Sequence, residues 1–149
     1  MQYNITPVAR VRCNRHSPDD DHWNSFDSYI EIAEDVPEES IAGIEGYSHL
    51  EIIFLFDKAT EVVWYGHPRN NTAWPLTGIF ATRKKDRPNH LGLTTVELIK
   101  VEGRKLYIKN LDAIDGTPVA DIKPVWKGFQ PKGNIKQPGW VDELMKNYW

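Results

Sequence analysis

Two stretches of the chain combine residue types that could do chemistry. The first is Thr82-Arg83-Lys84-Lys85-Asp86-Arg87-Pro88-Asn89-His90, with four bases within five positions. It follows one apolar run, Gly78–Ala81, and precedes another that begins at Leu91. Proline locks φ and asparagine tolerates the left-handed region, so Arg87-Pro88-Asn89 predicts a fixed turn. Guanidiniums held on a rigid turn suit an anion or a purine, because their planar fork both hydrogen-bonds and stacks. The bland alternative is a solvated hairpin loop charged only for solubility. The second stretch is Leu111–Pro124, with Asp112, Asp115 and Asp121 interleaved with Leu, Ile and Val. Carboxylates at strand ends can accept from a ribose diol or an amino group, or receive a cationic ligand. For Asp115 and Asp121 the alternative is turn formation with a salt bridge to Lys123.

Other polar motifs point less far. His16-Ser17-Pro18-Asp19-Asp20-Asp21-His22 invites a metal, yet adjacent carboxylates in an extended chain point apart, and neither HExxH nor EF-hand spacing is present. It reads as an acidic loop, with no metal expected. Gly46-Tyr47-Ser48-His49-Leu50 lacks the closing glycine of a nucleophile elbow, and its serine precedes a strand instead of following one. His49 reads as a partly buried histidine. His67-Pro68-Arg69 is a polar turn whose Arg69 can reach the same site as the basic loop. Neither GxGxxG nor a P-loop occurs, so a Rossmann-type nucleotide site is unsupported.

The elements that must position these residues read mainly as strands. Alternation marks Val8–Cys13 and Tyr29–Ala33, and His49–Phe56 is a buried-looking run. Glu61–Tyr65, Gly78–Thr82, Thr94–Val101 and Lys105–Leu111 follow at short intervals. Frequent strands with little helix between them predict a small barrel or sandwich, not a βαβ sheet. Pro37 suits the first turn of a short helix over Glu38–Ala42. After a Gly-, Pro- and Lys-rich loop over Gly128–Gly139, Trp140, Leu144 and Tyr148 recur at helical spacing, predicting a short amphipathic helix.

At 149 residues the chain suits one domain, and two cores would each be marginal. Its apolar runs fall well short of the ~20 residues that span a membrane. The N-terminus lacks the pattern of a secretory signal. The single cysteine, Cys13, excludes an intramolecular disulfide and a CxxC site. A cytoplasmic protein is therefore expected. Residues 1–57 carry three bases and twelve acids, whereas residues 58–149 carry fifteen bases and nine acids. That asymmetry predicts one face suited to an anionic partner.

Taken together the motifs resemble the TsaA-like family, whose best-described branch is TrmO. The matching segments are Gly43-Ile44-Glu45-Gly46-Tyr47-Ser48-His49-Leu50, Gly78-Ile79-Phe80-Ala81-Thr82-Arg83, Arg87-Pro88-Asn89, Gly92-Leu93, and Leu111-Asp112 through Asp115-Gly116-Thr117-Pro118-Val119 to Asp121-Ile122-Lys123-Pro124. The resemblance implies a mainly β, single-domain barrel over residues 1–127. Residues 128–149 would then form a loop and C-terminal amphipathic helix on or beside it. It also implies S-adenosylmethionine as cofactor, a tendency to homodimerise, and methylation of N6 of threonylcarbamoyl-adenosine in tRNA. Carried over by position, the cofactor would meet Asp57, Lys58, Arg83, Leu93, Asn110, Leu111 and Asp112. Arg87 and Asn89 would position the acceptor base, and Arg69, Lys84 and Lys85 would meet RNA. Where the family has Pro-Arg-Gln, this chain reads Asp20-Asp21-His22-Trp23-Asn24, and Trp23 is expected to stack on adenine instead. Two alternatives stand beside this reading. One is a methyltransferase of the same fold acting on a small molecule or another RNA, and the other is a non-enzymatic S-adenosylmethionine-binding protein.

Overall fold

Successive side chains of a strand face opposite ways, so strands with one buried face bury every second residue. The computed structural model, which describes residues 1–149, follows this rule around a closed barrel. In β1 (Ala9–Cys13) Ala9 and Val11 are buried, and in β2 (Ser28–Ile32) Ser28, Ile30 and Ile32 are. Leu50, Ile52 and Phe54 face inward from β3 (His49–Leu55). Tyr65–Gly66 and Thr77–Gly78 form β4 and β5, a separate two-stranded pair. Gly92, Thr94 and Val96 are the buried residues of β6 (Leu91–Glu102), and Leu106 and Ile108 those of β7 (Lys105–Lys109). Strand β8 (Pro118–Pro124) contributes Val119. The six barrel strands pair antiparallel in the order β1-β2-β7-β6-β3-β8, and β8 returns to β1. Closure leaves no unpaired edge. A small antiparallel barrel is filled by its own side chains, here a 13-residue apolar cluster.

The pairing brings the end of β1, the start of β2, the end of β3, the start of β6, the end of β7 and the start of β8 to one barrel end. The opposite end is covered by residues 33–48, whose Val36, Ile41 and Ile44 pack on the core. Arg104 Nη1 holds that cover by donating to the carbonyls of Ala33 (2.9 Å) and Val36 (2.6 Å). Both candidate stretches belong to the first end. Residues 57–90 form a long excursion from it between the paired strands β3 and β6.

The expected mainly β barrel with a short C-terminal helix is what forms, and several element boundaries differ from the expectation. Glu61–Tyr65 contributes only Tyr65 to a strand, because residues 61–64 find no partner strand. Gly78–Thr82 yields one strand residue and then a 3-10 turn over Ile79–Ala81. Lys105–Leu111 stops at Lys109, because Asn110 takes a φ of 66° and turns the chain into the barrel. Strand β8 lies within a stretch read for its turns and aspartates, and its prolines sit at the strand's two ends, where a missing N–H is tolerated. His49 is exposed, not partly buried, and its Nδ1 lies 2.7 Å from Ser48 Oγ at the barrel end away from the site. The helix α1 (Gly139–Met145) is short, and no helix is long and apolar enough to cross a membrane.

Candidate functional site

Asp112 is the best-held carboxylate of the molecule. Leu111, beside the left-handed Asn110, turns its side chain into the core, so only its backbone is available to a ligand. The next residue, Asp112, accepts from Thr94 Oγ1 through Oδ1 and from Tyr148 Oη through Oδ2. Burial raises the Tyr148 pKa, and the Asp112 charge and hydrogen bond raise it further, against the opposing influence of Arg69 and Arg83. The phenol therefore stays a neutral donor at ordinary pH. A carboxylate offers about four lone-pair sites, so Asp112 keeps acceptor capacity for a ligand amine or hydroxyl.

Arg83 reaches the same region from the excursion. Its Nη2 donates to the Leu93 carbonyl on β6, one residue from Thr94, while its side chain stays exposed. An exposed, always charged fork suits a ligand carboxylate. Behind it, Arg87 Nη1 donates to the Thr82 carbonyl (2.9 Å), which braces the loop carrying Arg83. Asn89 has a φ of 64°, the left-handed conformation that asparagine accepts. Asp57 and Lys58 are exposed just beyond β3, and Lys85 pairs with Asp86 at 3.0 Å.

The acidic loop is arranged around a buried arginine, Arg15, that no sequence motif marks. Arg15 donates to the carbonyls of Ser17 (2.9 Å), Asp19 (2.5 Å) and Asp21 (3.0 Å), so the loop's backbone, not its carboxylates, faces the guanidinium. The same guanidinium lies 3.5 Å from the Trp23 ring centroid. Trp23 is only 8% exposed, and its indole N–H donates to Asp20 O. The ring is thus mostly covered, with the Arg15 guanidinium over it. Arg69 pairs with Asp21 at 3.1 Å and donates to Asp20 O, which ties the 67–70 turn to the acidic loop. Asp115 accepts from the Cys13 amide and Asp121 pairs with Lys123 at 3.1 Å, so both follow the turn and salt-bridge alternative. No group of three or more His, Cys, Asp or Glu side chains is gathered to hold a metal ion.

The C-terminal segment completes this end. The backbone N–H groups of His22 and Trp23 donate to the carbonyls of Asn147 and Tyr148. Trp74 packs against Trp140 with centroids 6.1 Å apart, and its N–H donates to Glu143 Oε2 (2.7 Å). The helical spacing of Trp140, Leu144 and Tyr148 marked these residues for packing, but nothing local pointed Tyr148 at an aspartate 36 positions away. Tyr148→Phe is expected to lower stability by about 1.5 kcal/mol, the worth of a hydrogen bond to a charged partner. Urea unfolding measures this, and an unchanged midpoint would show the bond to be dispensable.

Residues 13–130 match the family described as the tRNA-methyltransferase O N-terminal domain. The chain is 42% identical over 105 residues to the human tRNA (adenine(37)-N6)-methyltransferase, covering 68% of this chain and 23% of that protein. The mouse protein of the same name is 43% identical and is likewise covered over 23% of its length, so the chain spans under a quarter of these relatives. A Methanothermobacter thermautotrophicus protein named "Probable S-adenosyl-L-methionine-binding protein" is 34% identical, with 89% of this chain matching 97% of that one. A crystal structure of TrmO from P. aeruginosa superposes with a TM-score of 0.76 at 25% identity, covering 94% of this chain and 62% of that one.

Proposed function

The chain belongs to the tRNA-methyltransferase O N-terminal domain family, and from that premise we propose that it binds S-adenosylmethionine at the Arg83–Asp112 end of the barrel and methylates N6 of an adenosine in tRNA. Threonylcarbamoyl-adenosine is the acceptor we favour, in a cytoplasmic and homodimeric enzyme. The observation that carries the reading is the convergence of an arginine, a strand-end carbonyl and a carboxylate from three separate segments onto one spot. This donor set fits the cofactor, whose carboxylate needs a cation and whose amine and ribose hydroxyls need acceptors. Arg83 would hold the carboxylate, and Asp112, Asn110 and the Leu93 backbone would take the remaining polar groups, with Asp57 and Lys58 at the rim.

When bound, the cofactor supplies an electrophilic methyl group on a sulfonium. The chain's part is to orient and to exclude water. Thr94 and Tyr148 lock the Asp112 carboxylate, and Arg87 braces the loop that carries Arg83. Holding two reactants in line can by itself lower a barrier by several kcal/mol, roughly 7–11 in the best cases. Asn89 and Arg87 lie on the rigid turn beside this spot and are assigned to acceptor placement, and Lys84 is the basic-loop residue assigned to RNA.

The test is methyl transfer to bulk tRNA from a strain lacking this gene, read by nucleoside mass spectrometry. Transfer to adenosine N6 supports the reading, and transfer to no RNA at saturating cofactor overturns it. A second reading is a binding protein without methyl acceptor. It is favoured by the near full-length match to a relative named only for binding the cofactor. Cofactor binding without any transfer would select it.

A further inference from the structure

Residues 126–138 are all exposed, a run interrupted by neither a strand nor an α-helix. The segment leaves the barrel end opposite the candidate site, where the Val125 N–H donates to His49 O. It arrives beside the site, where Gln137 Nε2 donates to Asp142 on α1, the helix whose Trp140 packs on Trp74. It is therefore a strap running between the two ends of the barrel. Its composition is unlike the rest of the surface. From Ile122 to Val141 there are four lysines and no acid. Lys127, Lys132 and Lys136 make no ion pair, whereas Lys85, Arg69 and Lys123 each do. Three large apolar side chains stand in water on the same strap: Trp126 at 53%, Phe129 at 78% and Ile135 at 76% exposed. Trp126 and Phe129 sit as a tilted pair with ring centroids 5.8 Å apart.

We propose that this strap, Trp126–Gln137, is a docking surface for single-stranded RNA that leads the substrate toward the Arg83–Asp112 end. This rests on the RNA-methyltransferase reading and adds where the RNA lies. Three kinds of group needed for an unpaired strand occur together here. Unpaired lysines neutralise phosphates, exposed rings accept base stacking, and the amides of Gln130 and Asn134 can meet base edges. A polyanion is the complement of a strap that carries three positive charges and no negative one. The interspersed amides and the small number of apolar residues fit a nucleic acid better than an anionic membrane, which calls for a continuous apolar face.

The experiment is fluorescence anisotropy of the full chain with a labelled unstructured RNA of about twelve nucleotides, across a salt series. For single strands each phosphate contact contributes about 0.7 to the slope of log K against log salt. The triple variant Lys127→Ala/Lys132→Ala/Lys136→Ala is expected to lower that slope by about 2 and to weaken binding more than tenfold at low salt. Phe129→Ala is expected to weaken binding roughly five- to a hundredfold at every salt concentration, since stacking is not screened. Both variants should keep the wild-type melting temperature and its shift with S-adenosylmethionine. Wild-type RNA affinity and slope in the triple variant would overturn the strap while leaving the methyltransferase reading intact. A wild-type chain that binds the cofactor but no RNA overturns both. Stronger binding to phosphatidylserine vesicles than to RNA, lost in the same variants, would replace RNA with a membrane surface.

Discussion

S-adenosylmethionine at a hundred times its dissociation constant is expected to raise the melting temperature by roughly 5–10 °C. A ligand that binds only the native state adds about 2.7 kcal/mol at that saturation, and each kcal/mol moves a domain of this size by about 2–4 °C. Arg83→Ala should abolish most of the shift. The residue is exposed and its one protein partner is a strand-end carbonyl, so its removal should leave the unliganded melting temperature within about 1–2 °C of wild type. What it removes is an exposed guanidinium held at Leu93, one residue from the Thr94 that binds Asp112, and with it the charge-assisted bond to a ligand carboxylate. Lys84→Ala is the control, because it takes a charge from the same loop without touching the Leu93–Asp112 region. No shift at millimolar ligand in a well-folded wild type would sink the cofactor assignment. A full shift in Arg83→Ala would move the ligand elsewhere on the barrel.

Gly92→Ala is expected to cost about 3 kcal/mol in stability, the upper part of the range for overpacking a core. In the pairing of β3 with β6, Gly92 lies opposite Phe54. A Cβ built on Gly92 would stand 2.4 Å from Phe54 Cζ and 2.5 Å from Cε2, far inside van der Waals contact. The ring is 1% exposed and packs edge-on against Phe56, so it has no open space to enter. Leu93 and Thr94 follow directly, so any shift of β6 displaces the carbonyl that Arg83 holds and the hydroxyl on Asp112. Cofactor affinity should therefore fall together with stability. Phe54→Leu in the Gly92→Ala background should recover part of both, because a smaller side chain vacates the ring's volume. Urea denaturation of the two single variants and the double variant gives the coupling directly. Additive effects would show that the clash is relieved by another route.

The lysine strap and the basic loop divide the positive charge of the second half of the chain differently from its order in sequence. The basic loop looks like the denser RNA contact, yet Arg87 faces the Thr82 carbonyl, Arg83 the Leu93 carbonyl, and Lys85 pairs with Asp86. Cations that hold their own loop contribute shape, and the strap's lysines, without carboxylate partners, contribute field.

The sequence by itself determined the β class, five of the barrel strands and the two segments that meet at the site. Those features are local. Period-two alternation is visible in Ala9, Val11 and in Leu50, Ile52, Phe54, and Arg87-Pro88-Asn89 states its turn by covalent restriction of φ. Strand β8 was hidden because Pro118 and Pro124 bound it and a turn precedes it, and only its partners β1 and β3 make it a strand. The tertiary structure alone decided which polar groups were free. Tyr148 meets Asp112 across 36 residues, Arg69 meets Asp21 across 48, and Arg15 is buried by a loop whose own acids point away from it. Contacts between distant residues leave no periodic trace, because they depend on where the closed barrel returns the chain. That is why no motif marks Thr94, Tyr148 and Arg15, which hold this end of the barrel in place.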